Sequence, residues 1–367
     1  MTTVPGLPEP VTSGGETVAV VEVIGGVDTH ADTHTAAAID AAGRALGTAQ
    51  FPATDAGYRQ LLGWLQSFGL LLLVGVEGTG AYGAGLARLL RAHQVALVEV
   101  DRPDRRTRRF AGKSDPLDAQ AAAQAALSGR QDGVPKTRDG QVEALRSLRV
   151  ARRALVSQRA DLQRRIKTLL VTAPEALRAS MRELSDHELL ARCAALRPDR
   201  ARLGEPTQAT KYALRALAVQ HRELSVEIAA LEAVIEPLVT DICPALLELT
   251  GVGPENAGQL LVTAGDNPQR LRSEAAFAML CGAAPIPASS GRTSRHRLNR
   301  GGDRQANCAW WPIALVRLRH DPRTRAYAAR RTTQGLSKPE ILRCLKRLIA
   351  REIYYVITRP QPAPTPS

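Results

Sequence analysis

Cysteine is scarce in this chain and has none of the spacings that bind metals. The 367 residues contain five cysteines, with no Cys-x-x-Cys or Cys/His pattern, which argues against a zinc site and is typical of reduced thiols in a cytoplasmic protein. No Gly-x4-Gly-Lys-[Ser/Thr] stretch is present, so ATP hydrolysis is not indicated. No apolar run reaches the length of a membrane span and no signal peptide is recognisable. We therefore expect no membrane partner.

Positive charge is unevenly distributed along the chain. Residues 1–100 carry four Arg or Lys against nine Asp or Glu, whereas the whole chain has a net charge of +13. The remainder therefore carries +18. A basic body joined to an acidic domain is typical of a protein that binds a polyanion, in a manner that weakens as salt rises. Nucleic acid is the expected partner.

Two acidic residues, Asp28 and Glu77, are each delivered by an apolar run with the pattern of a buried β-strand, at residues 18–24 and 70–76. The first strand continues through residues 25–27, so Asp28 lies in its C-terminal part. The remaining periodic segments predict strands near 33–40, 44–51 and 95–100 and helices near 55–68 and 80–93. With a further helix after residue 114, the order is βββαβαβα. This order indicates an α/β domain of the RNase H-like (RuvC-like) type, because a doubly wound fold would begin with βαβ.

Two more acids begin that further helix. Ser114 has the character of an N-cap residue and Pro116 fits only a first turn, which predicts a helix beginning at Asp115. A spacing of three residues puts Asp115 and Asp118 on one face. Neighbouring carboxylates repel each other, so a buried pair requires a cation or a basic partner. The alternative is a pair of solvated acids that the helix dipole favours.

Carboxylates from these three places form one candidate metal site, made of Asp28, Glu77, Asp115 and Asp118. Magnesium prefers oxygen ligands, and one or two Mg²⁺ ions there can stabilise the charge that develops on a phosphodiester. Polar residues alternate just beyond the first acid, at His30, Asp32 and His34. We interpret these three as ordinary polar residues of the outgoing strand, with the rim of the metal site as the alternative.

The middle of the chain carries two long helical repeats. One runs through Leu214, Leu217, His221, Leu224, Ile228, Leu231, Ile235 and Leu238, and the other through Leu148, Arg152, Leu155, Arg159, Leu162, Ile166 and Leu169. Steps of three and four residues predict a central antiparallel coiled coil or a dimer contact. The Arg-rich stretch 146–167 either follows a phosphate backbone or is a solvated charged face.

The third region predicts a mainly α-helical domain with a helix-hairpin-helix. Within residues 247–261 a helix is followed by a tight turn at Gly251 and Gly253 and by a second helix that begins at Pro254. Such a turn lets backbone amides approach a phosphate closely. It can also be no more than a compact connection between two helices.

Two adjacent serines, Ser289 and Ser290, precede a dense cationic cluster. Its arginines are Arg292, Arg295, Arg297 and Arg300. An exposed hydroxyl with cations over the nonbridging oxygens has the groups needed to attack a phosphodiester. The alternative is a solvated loop hydroxyl beside arginines that bind the DNA backbone.

Composition divides the chain into five segments. We predict disordered tails at 1–17 and 359–367, a RuvC-like domain at 18–130, a coiled-coil domain at 140–242 and a C-terminal domain at 243–358.

Taken together, these motifs resemble the insertion sequence 110 family of transposases. The family carries a DEDD RuvC-like domain and a serine-containing C-terminal domain, includes bridge-RNA-guided recombinases and has the Piv/MooV invertases as relatives. The resemblance rests on Gly26-Val27-Asp28, Val76-Glu77, the stretch 113–119, the stretch 249–254, Ser290-Gly291 and the stretch 295–322.

The resemblance implies specific roles and partners. The four acids would be a Mg²⁺-binding tetrad, and Ser290 would form a covalent phosphoserine link to DNA. Lys113, Gly251, Gly253 and the four arginines would contact nucleic acid. Family members bind donor and target double-stranded DNA and a structured noncoding RNA that pairs with both. They assemble as dimers and tetramers with a shared active site, here in a bacterial cytoplasm at the nucleoid.

Two other functions fit the same residues. One is a RuvC-like nuclease for Holliday junctions or other DNA structures, in which metal-activated water attacks the DNA and Ser290 is dispensable. The other is a noncatalytic nucleic-acid scaffold whose acids lie on the surface.

Overall fold

The computed structural model describes residues 20–100, 114–129, 133–291 and 296–359. The chain divides into two compact units, Met1–Pro135 and Lys136–Ser367. Lys113, Arg292, Arg295 and, except for Arg359, the two predicted tails lie outside the described residues. In the described part of the chain, no helix combines the length and the apolarity needed to cross a membrane.

The first unit is built on a five-stranded mixed sheet in the order β3-β2-β1-β4-β5. The strands are β1 (Glu22–Thr29), β2 (Thr33–Asp40), β3 (Ala45–Pro52), β4 (Leu70–Glu77) and β5 (Leu97–Val100). The first three pair antiparallel, and β4 and β5 continue the sheet in parallel with β1. Helices α1 (Asp55–Gln66), α2 (Ala84–Ala92) and α3 (Asp115–Leu127) complete the described elements in the predicted order.

The first strand begins at Glu22 rather than at residue 18, and Asp28 lies in its C-terminal part, as predicted. The strand continues to Thr29. This end is stabilised because β1 lies between β2 and β4, and its last residue still pairs with His34 of β2. The first acid of the candidate site therefore lies inside the sheet.

Helices cover the sheet with two apolar layers of different composition. One layer packs bulky residues of β1 and β4 against α1 and α2, and includes Val23, Val27, Leu61, Leu65, Val74, Val76, Leu86 and Leu90. The other packs Ile24 and Ile39 against the small residues Ala123 and Ala126 of α3. Because its side chains are short, α3 can lie close to the strands.

A pair of glycines determines how close α3 lies. Gly26 of β1 and Gly75 of β4 are direct neighbours in the sheet register. A Cβ on Gly26 would lie 2.2 Å from the carbonyl oxygen of Ala119 and from the amide nitrogen of Ala123. A Cβ on Gly75 would lie 2.6 Å from the carbonyl oxygen of Ala122. The backbone of α3 therefore occupies the space that two side chains would otherwise fill.

The second unit begins with two long antiparallel helices, α4 (Gln141–Val171) and α7 (Pro206–Ile242). Arg152 contacts Glu232 and Arg159 contacts Ser225, so residue numbers rise along one helix as they fall along the other. At one end, α4 and α7 share an apolar core with α5 (Glu175–Ala179) and α6 (Asp186–Ala194). Both seam arginines thus have polar partners on the facing helix.

Shorter helices form the remainder of the second unit. They are α8 (Pro244–Leu247), α9 (Pro254–Ala264), α10 (Glu274–Leu280), α11 (Arg304–His320), α12 (Pro322–Thr333) and α13 (Lys338–Ile357). At their centre the rings of Trp310 and Phe277 meet edge to face with centroids 6.1 Å apart. Trp311, the next residue along α11, is 48% exposed because adjacent positions of a helix face different directions.

One apolar core links this group of helices to the other end of the long helix pair. Leu145 of α4 and Val239 of α7 belong to the same cluster as Trp310. The chain is therefore a mixed α/β sheet region followed by a mostly helical region. The finer division at 140–242 and 243–358 stays a prediction.

Candidate metal centre and serine hairpin

Two neighbouring strands deliver the first pair of acids. Asp28 and Glu77 are the next residues after the paired Val27 and Val76, so they lie side by side in parallel strands. Each is two residues beyond the glycine that α3 covers, and alternation along a strand places both side chains on the α3 face of the sheet. Asp28 is 7% exposed and Glu77 is 9% exposed. The sheet thus presents two nearly buried carboxyl groups toward one helix.

Helix α3 brings the second pair of acids to the same face. Its first turn contains Asp115 and Asp118, and the amide of Asp118 donates to the carbonyl oxygen of Ser114. The side chain of Asp118 is buried, whereas that of Asp115 is 42% exposed. Since Gly26 lets the helix backbone touch the strand, these acids reach the end of β1. Asp118 therefore lies on the buried side of the group of acids, and Asp115 lies on its solvent-exposed side.

The tightest group of ligand atoms in the described residues includes a histidine. His30 Nε2 lies 3.1 Å from Asp28 Oδ2 and 3.4 Å from Asp115 Oδ1. One ligand atom from each of these three residues lies within 4.8 Å of the others. Glu77 and Asp118 are not members of this compact trio, although the sequence predicted all four acids as one set.

His30 lies against two of the predicted acids, Asp28 and Asp115. This contact favours the alternative that His30 lines the rim of the metal site. The signal was its i, i+2 spacing from Asp28, which returns a side chain to the same face of an extended chain. His34, in contrast, is fully buried and stacks on Tyr58 with ring centroids 5.3 Å apart.

The surroundings of Asp28 disfavour the ionised form of its side chain. Burial raises the pKa of the Asp28 carboxyl, His30 acts in the opposite direction, and the charges of Asp118 and Asp115 raise it further. A carboxylate in that position is easier to keep ionised when a cation is close. The donor set of carboxylate oxygens and one imidazole therefore fits a divalent cation.

The candidate nucleophile lies on a small exposed hairpin in the second unit. Strands β6 (Ile286–Pro287) and β7 (His296–Arg297) pair antiparallel. Ser290 lies in the connection and is exposed, and Gly291 after it has φ of +54°. Arg297 and Arg300 are exposed on the outgoing side. The hydroxyl is thus accessible to a large substrate.

The segment that follows β7 is hydrogen-bonded to the helices of the second unit. Asn299 donates from Nδ2 to the carbonyl oxygen of Met279 and accepts from the amide of Gly301. Asp303 then caps α11 by accepting from the amides of Gln305 and Ala306. These bonds hold residues 299–303, which follow the cationic stretch. Ser290 precedes that stretch and is not held by them.

The glycine turn between α8 and α9 contains two glycines with different constraints. Gly251 has φ of +82°, and an added Cβ would lie 3.1 Å from the carbonyl oxygen of Ile313. Gly253, which precedes α9, has no heavy atom of the described residues within 4 Å of an added Cβ. The backbone conformation of the turn therefore requires a glycine at position 251. At Gly253 a larger residue would meet no described atom, so the space in front of α9 is unfilled by the described residues.

Many arginines of α4 are already paired within the protein. Arg146 binds Glu143, Arg149 binds Glu255, and Arg165 binds Asp161. This pairing favours a charged face that stabilises the helices over a continuous track for a phosphate backbone.

Two family models match the chain. The model DEDD_Tnp_IS110, described as a transposase, matches residues 25–173, and the model of the transposase IS116/IS110/IS902 family matches residues 243–329. The chain belongs to the IS110 family of transposases. The first match spans Asp28, Glu77, Asp115 and Asp118, and the second spans the glycine turn and Ser290.

A curated relative agrees with this membership. The insertion element IS110 uncharacterized 43.6 kDa protein of Streptomyces coelicolor is 37% identical over 122 residues. This alignment covers 32% of the present chain and 30% of the relative. The chain therefore covers less than a third of that relative's length.

Proposed function

We propose that this protein is a transposase that cleaves and exchanges DNA strands through a covalent phosphoserine intermediate. The observation that carries the proposal is the convergence of acids from β1, β4 and α3 on one face of the sheet in a chain that also presents an exposed serine. The match of both regions to transposase models supports it. The substrate class is double-stranded DNA, as donor and target.

The serine step follows from the groups on the hairpin. The Ser290 hydroxyl oxygen forms a bond to phosphorus, and the bond from phosphorus to one deoxyribose oxygen breaks. The serine proton passes to solvent or a base, and the released deoxyribose oxygen takes up a proton. Arg297 and Arg300 supply positive charge near the nonbridging oxygens, where charge accumulates. Reversal of this step onto a new strand end rejoins the DNA.

The acidic residues have a separate task. A divalent cation, Mg²⁺ in this proposal and one or two ions in number, would stabilise charge on the phosphodiester. Asp28 and Asp115 would hold it, and the buried Glu77 and Asp118 would add negative charge to its surroundings.

Finer features of architecture and assembly belong to the same proposal. The strand order and directions of the first unit support an RNase H-like (RuvC-like) domain. The antiparallel pair of α4 and α7 supports a coiled coil, and α8, the glycine turn and α9 support a helix-hairpin-helix. A structured noncoding guide RNA would select the DNA by base pairing. The protein would act as a dimer or tetramer in the bacterial cytoplasm, associated with the nucleoid.

The experiment that tests this function is the capture of a covalent protein–DNA adduct. Purified protein is incubated with element-end DNA, co-purified RNA and a divalent cation, then denatured and analysed by electrophoresis and mass spectrometry. We expect an adduct at Ser290 that is lost in Ser290→Ala and kept in the matched control Ser289→Ala. An adduct that persists in Ser290→Ala contradicts the assignment.

A hydrolytic nuclease is the second candidate, because the acidic site lies in one compact unit and the serine in the other. In that case Ser290→Ala cleaves DNA at the wild-type rate without an adduct, while Asp28→Asn does not cleave. Recombination that survives both Asp28→Ala and Glu77→Ala supports a noncatalytic scaffold instead. Sequencing of RNA that co-purifies with the protein tests the guide, since a single structured species is expected.

A further inference from the structure

We propose that His30 is a direct ligand of the metal centre, so that the centre binds its cation through nitrogen as well as oxygen. This inference rests on the proposed function, since it concerns the cation that the acidic site holds. Nothing in the transposase description of the family assigns a role to this residue. The proposal changes the expected metal preference of the site.

The imidazole of His30 lies beside the two carboxylates that would bind the cation. Its Nε2 atom faces both Asp28 and Asp115, at 3.1 and 3.4 Å, and so lies where two carboxylates converge. The side chain is 44% exposed, which leaves the open side of the trio accessible to a hydrated ion. A single nitrogen close to carboxylates from a strand and from a helix has the arrangement of a mixed ligand set.

The backbone holds His30 in this place. It is the first residue after β1, and its amide donates to the carbonyl oxygen of Thr33 across the turn into β2, at 3.0 Å. The preceding Thr29 donates its hydroxyl to the carbonyl oxygen of Glu77, at 2.8 Å. The turn is therefore held at both of these residues, which keeps the backbone of His30 beside the acidic site.

A nitrogen ligand alters which ion is favoured. Mg²⁺ prefers oxygen ligands and keeps much of its water, whereas first-row transition ions accept imidazole more readily. We therefore expect Mn²⁺ to bind more tightly than Mg²⁺, by a larger ratio than in the same site without the imidazole. This preference follows from ligand chemistry and is independent of the DNA sequence that the protein acts on.

The test uses the full-length protein with Mn²⁺ alone and does not depend on turnover. Electron spin echo envelope modulation of bound Mn²⁺ detects a coordinated nitrogen directly. We expect ¹⁴N modulation in the wild type and in the control His93→Ala, whose exposed histidine follows α2. The modulation is absent in His30→Ala and in His30→Gln, which retains a hydrogen-bond donor.

Calorimetric titration of Mn²⁺ and of Mg²⁺ gives the second readout. We expect the ratio of the two affinities to fall by about tenfold in His30→Ala, a loss of the size seen when a group that supports a metal is removed. Thermal unfolding in a chelator identifies any variant that has not folded. Bound Mn²⁺ without ¹⁴N modulation in the wild type, or modulation that persists in both His30 variants, overturns the inference.

The outcomes separate this inference from the proposed function. Mn²⁺ that binds the wild type but not Asp28→Asn, without any nitrogen signal, removes only His30 from the ligand set. Absence of divalent-cation binding in the wild type removes the metal centre and His30 with it. The adduct experiment on Ser290 is unaffected by either result.

Discussion

The acidic site and the serine hairpin are built in opposite ways. Asp28 and Glu77 lie inside a five-stranded sheet, almost fully buried, and α3 is fitted against them by two glycines. Ser290 lies on a hairpin whose strands have two residues each, with its side chain exposed. The acids hold their arrangement through dense packing, whereas the serine has accessibility but little support of its own.

This difference indicates that the two regions bind different partners, a small cation at the acids and duplex DNA at the serine. A packed site offers a small cation a prearranged set of ligands, because reorganisation there would disrupt a core. An exposed hydroxyl offers access to a duplex, and contacts with that duplex then contribute to its final geometry. We therefore expect substitutions near the acids to affect folding strongly and substitutions near the serine to affect mainly reaction.

The sharpest test of the comparison is one added methyl group near each site. Gly26→Ala places a Cβ 2.2 Å from two backbone atoms of α3, so we expect a loss of about 3 kcal/mol of stability in the first unit. Gly291→Ala meets no heavy atom of the described residues within 4 Å, and its φ of +54° costs only about 1 kcal/mol in the hairpin. Hydrogen exchange measured by mass spectrometry reports each region separately.

Gly63→Ala is the matched control for the first unit. This glycine lies within α1, where an added Cβ meets no heavy atom of the described residues within 4 Å. We expect a gain of about 0.5–1 kcal/mol from helix propensity. Equal protection of β1 peptides in Gly26→Ala and Gly63→Ala contradicts the packing argument.

Removal of each reactive group gives the next contrast. Asp28→Asn should lower DNA cleavage by roughly 100-fold or more, because a bound cation contributes several kcal/mol to the transition state. In a chelator the same variant should melt at a higher temperature than the wild type at pH 7.5. Burial raises the pKa of Asp28, so its ionised form opposes folding at that pH.

The comparison variant is Ser290→Ala, which should also lose the reaction but keep its stability within about 0.5 kcal/mol. Calorimetric unfolding with and without divalent cation measures both variants. A lower melting temperature for Asp28→Asn in chelator would mean that hydrogen bonds of the carboxylate outweigh the cost of its buried charge.

The smallest expected effect concerns pH. Burial lowers the pKa of His34, so the folded first unit resists a proton that the unfolded chain accepts. Above about pH 6.5 both states are neutral at this residue and it contributes nothing. As pH falls below that value, the unit loses stability by at most about 1.4 kcal/mol per pH unit.

His34→Phe keeps a ring against Tyr58 and cannot titrate. Its unfolding free energy should therefore fall less than that of the wild type between pH 7 and pH 5.5, as measured by urea denaturation. Parallel curves for the two proteins would assign the acid sensitivity to other groups.

Much of the first unit could be predicted because its signals are local. Runs of apolar residues identified the strands, and Ser114 with Pro116 identified the start of α3 at Asp115. The sequence grouped the four acids as one site but could not determine the distances between their ligand atoms. Those distances depend on how deeply α3 sits over Gly26 and Gly75, which is a tertiary property of two glycines far apart in sequence.

Tertiary packing also decides other features that local patterns leave open. Periodicity alone cannot decide which of two adjacent tryptophans, Trp310 or Trp311, faces the core. The proximity of His30 to Asp115 could not be predicted, because Asp115 belongs to another element. The cation cluster after Ser290 lies partly outside the described residues, so Arg292 and Arg295 stay predictions.

The long antiparallel helices also set the distance between the apolar cores at their two ends. A helix of 37 residues extends for roughly 55 Å, which equals about 16 base-pair steps of duplex DNA. One end of α7 is embedded with α5 and α6, and the other is embedded among the C-terminal helices. A molecule that binds beside α5 and α6 is therefore held several nanometres from the C-terminal helices at the other end of α7. Shortening α4 and α7 by equal whole turns would bring two such attachments closer without altering either.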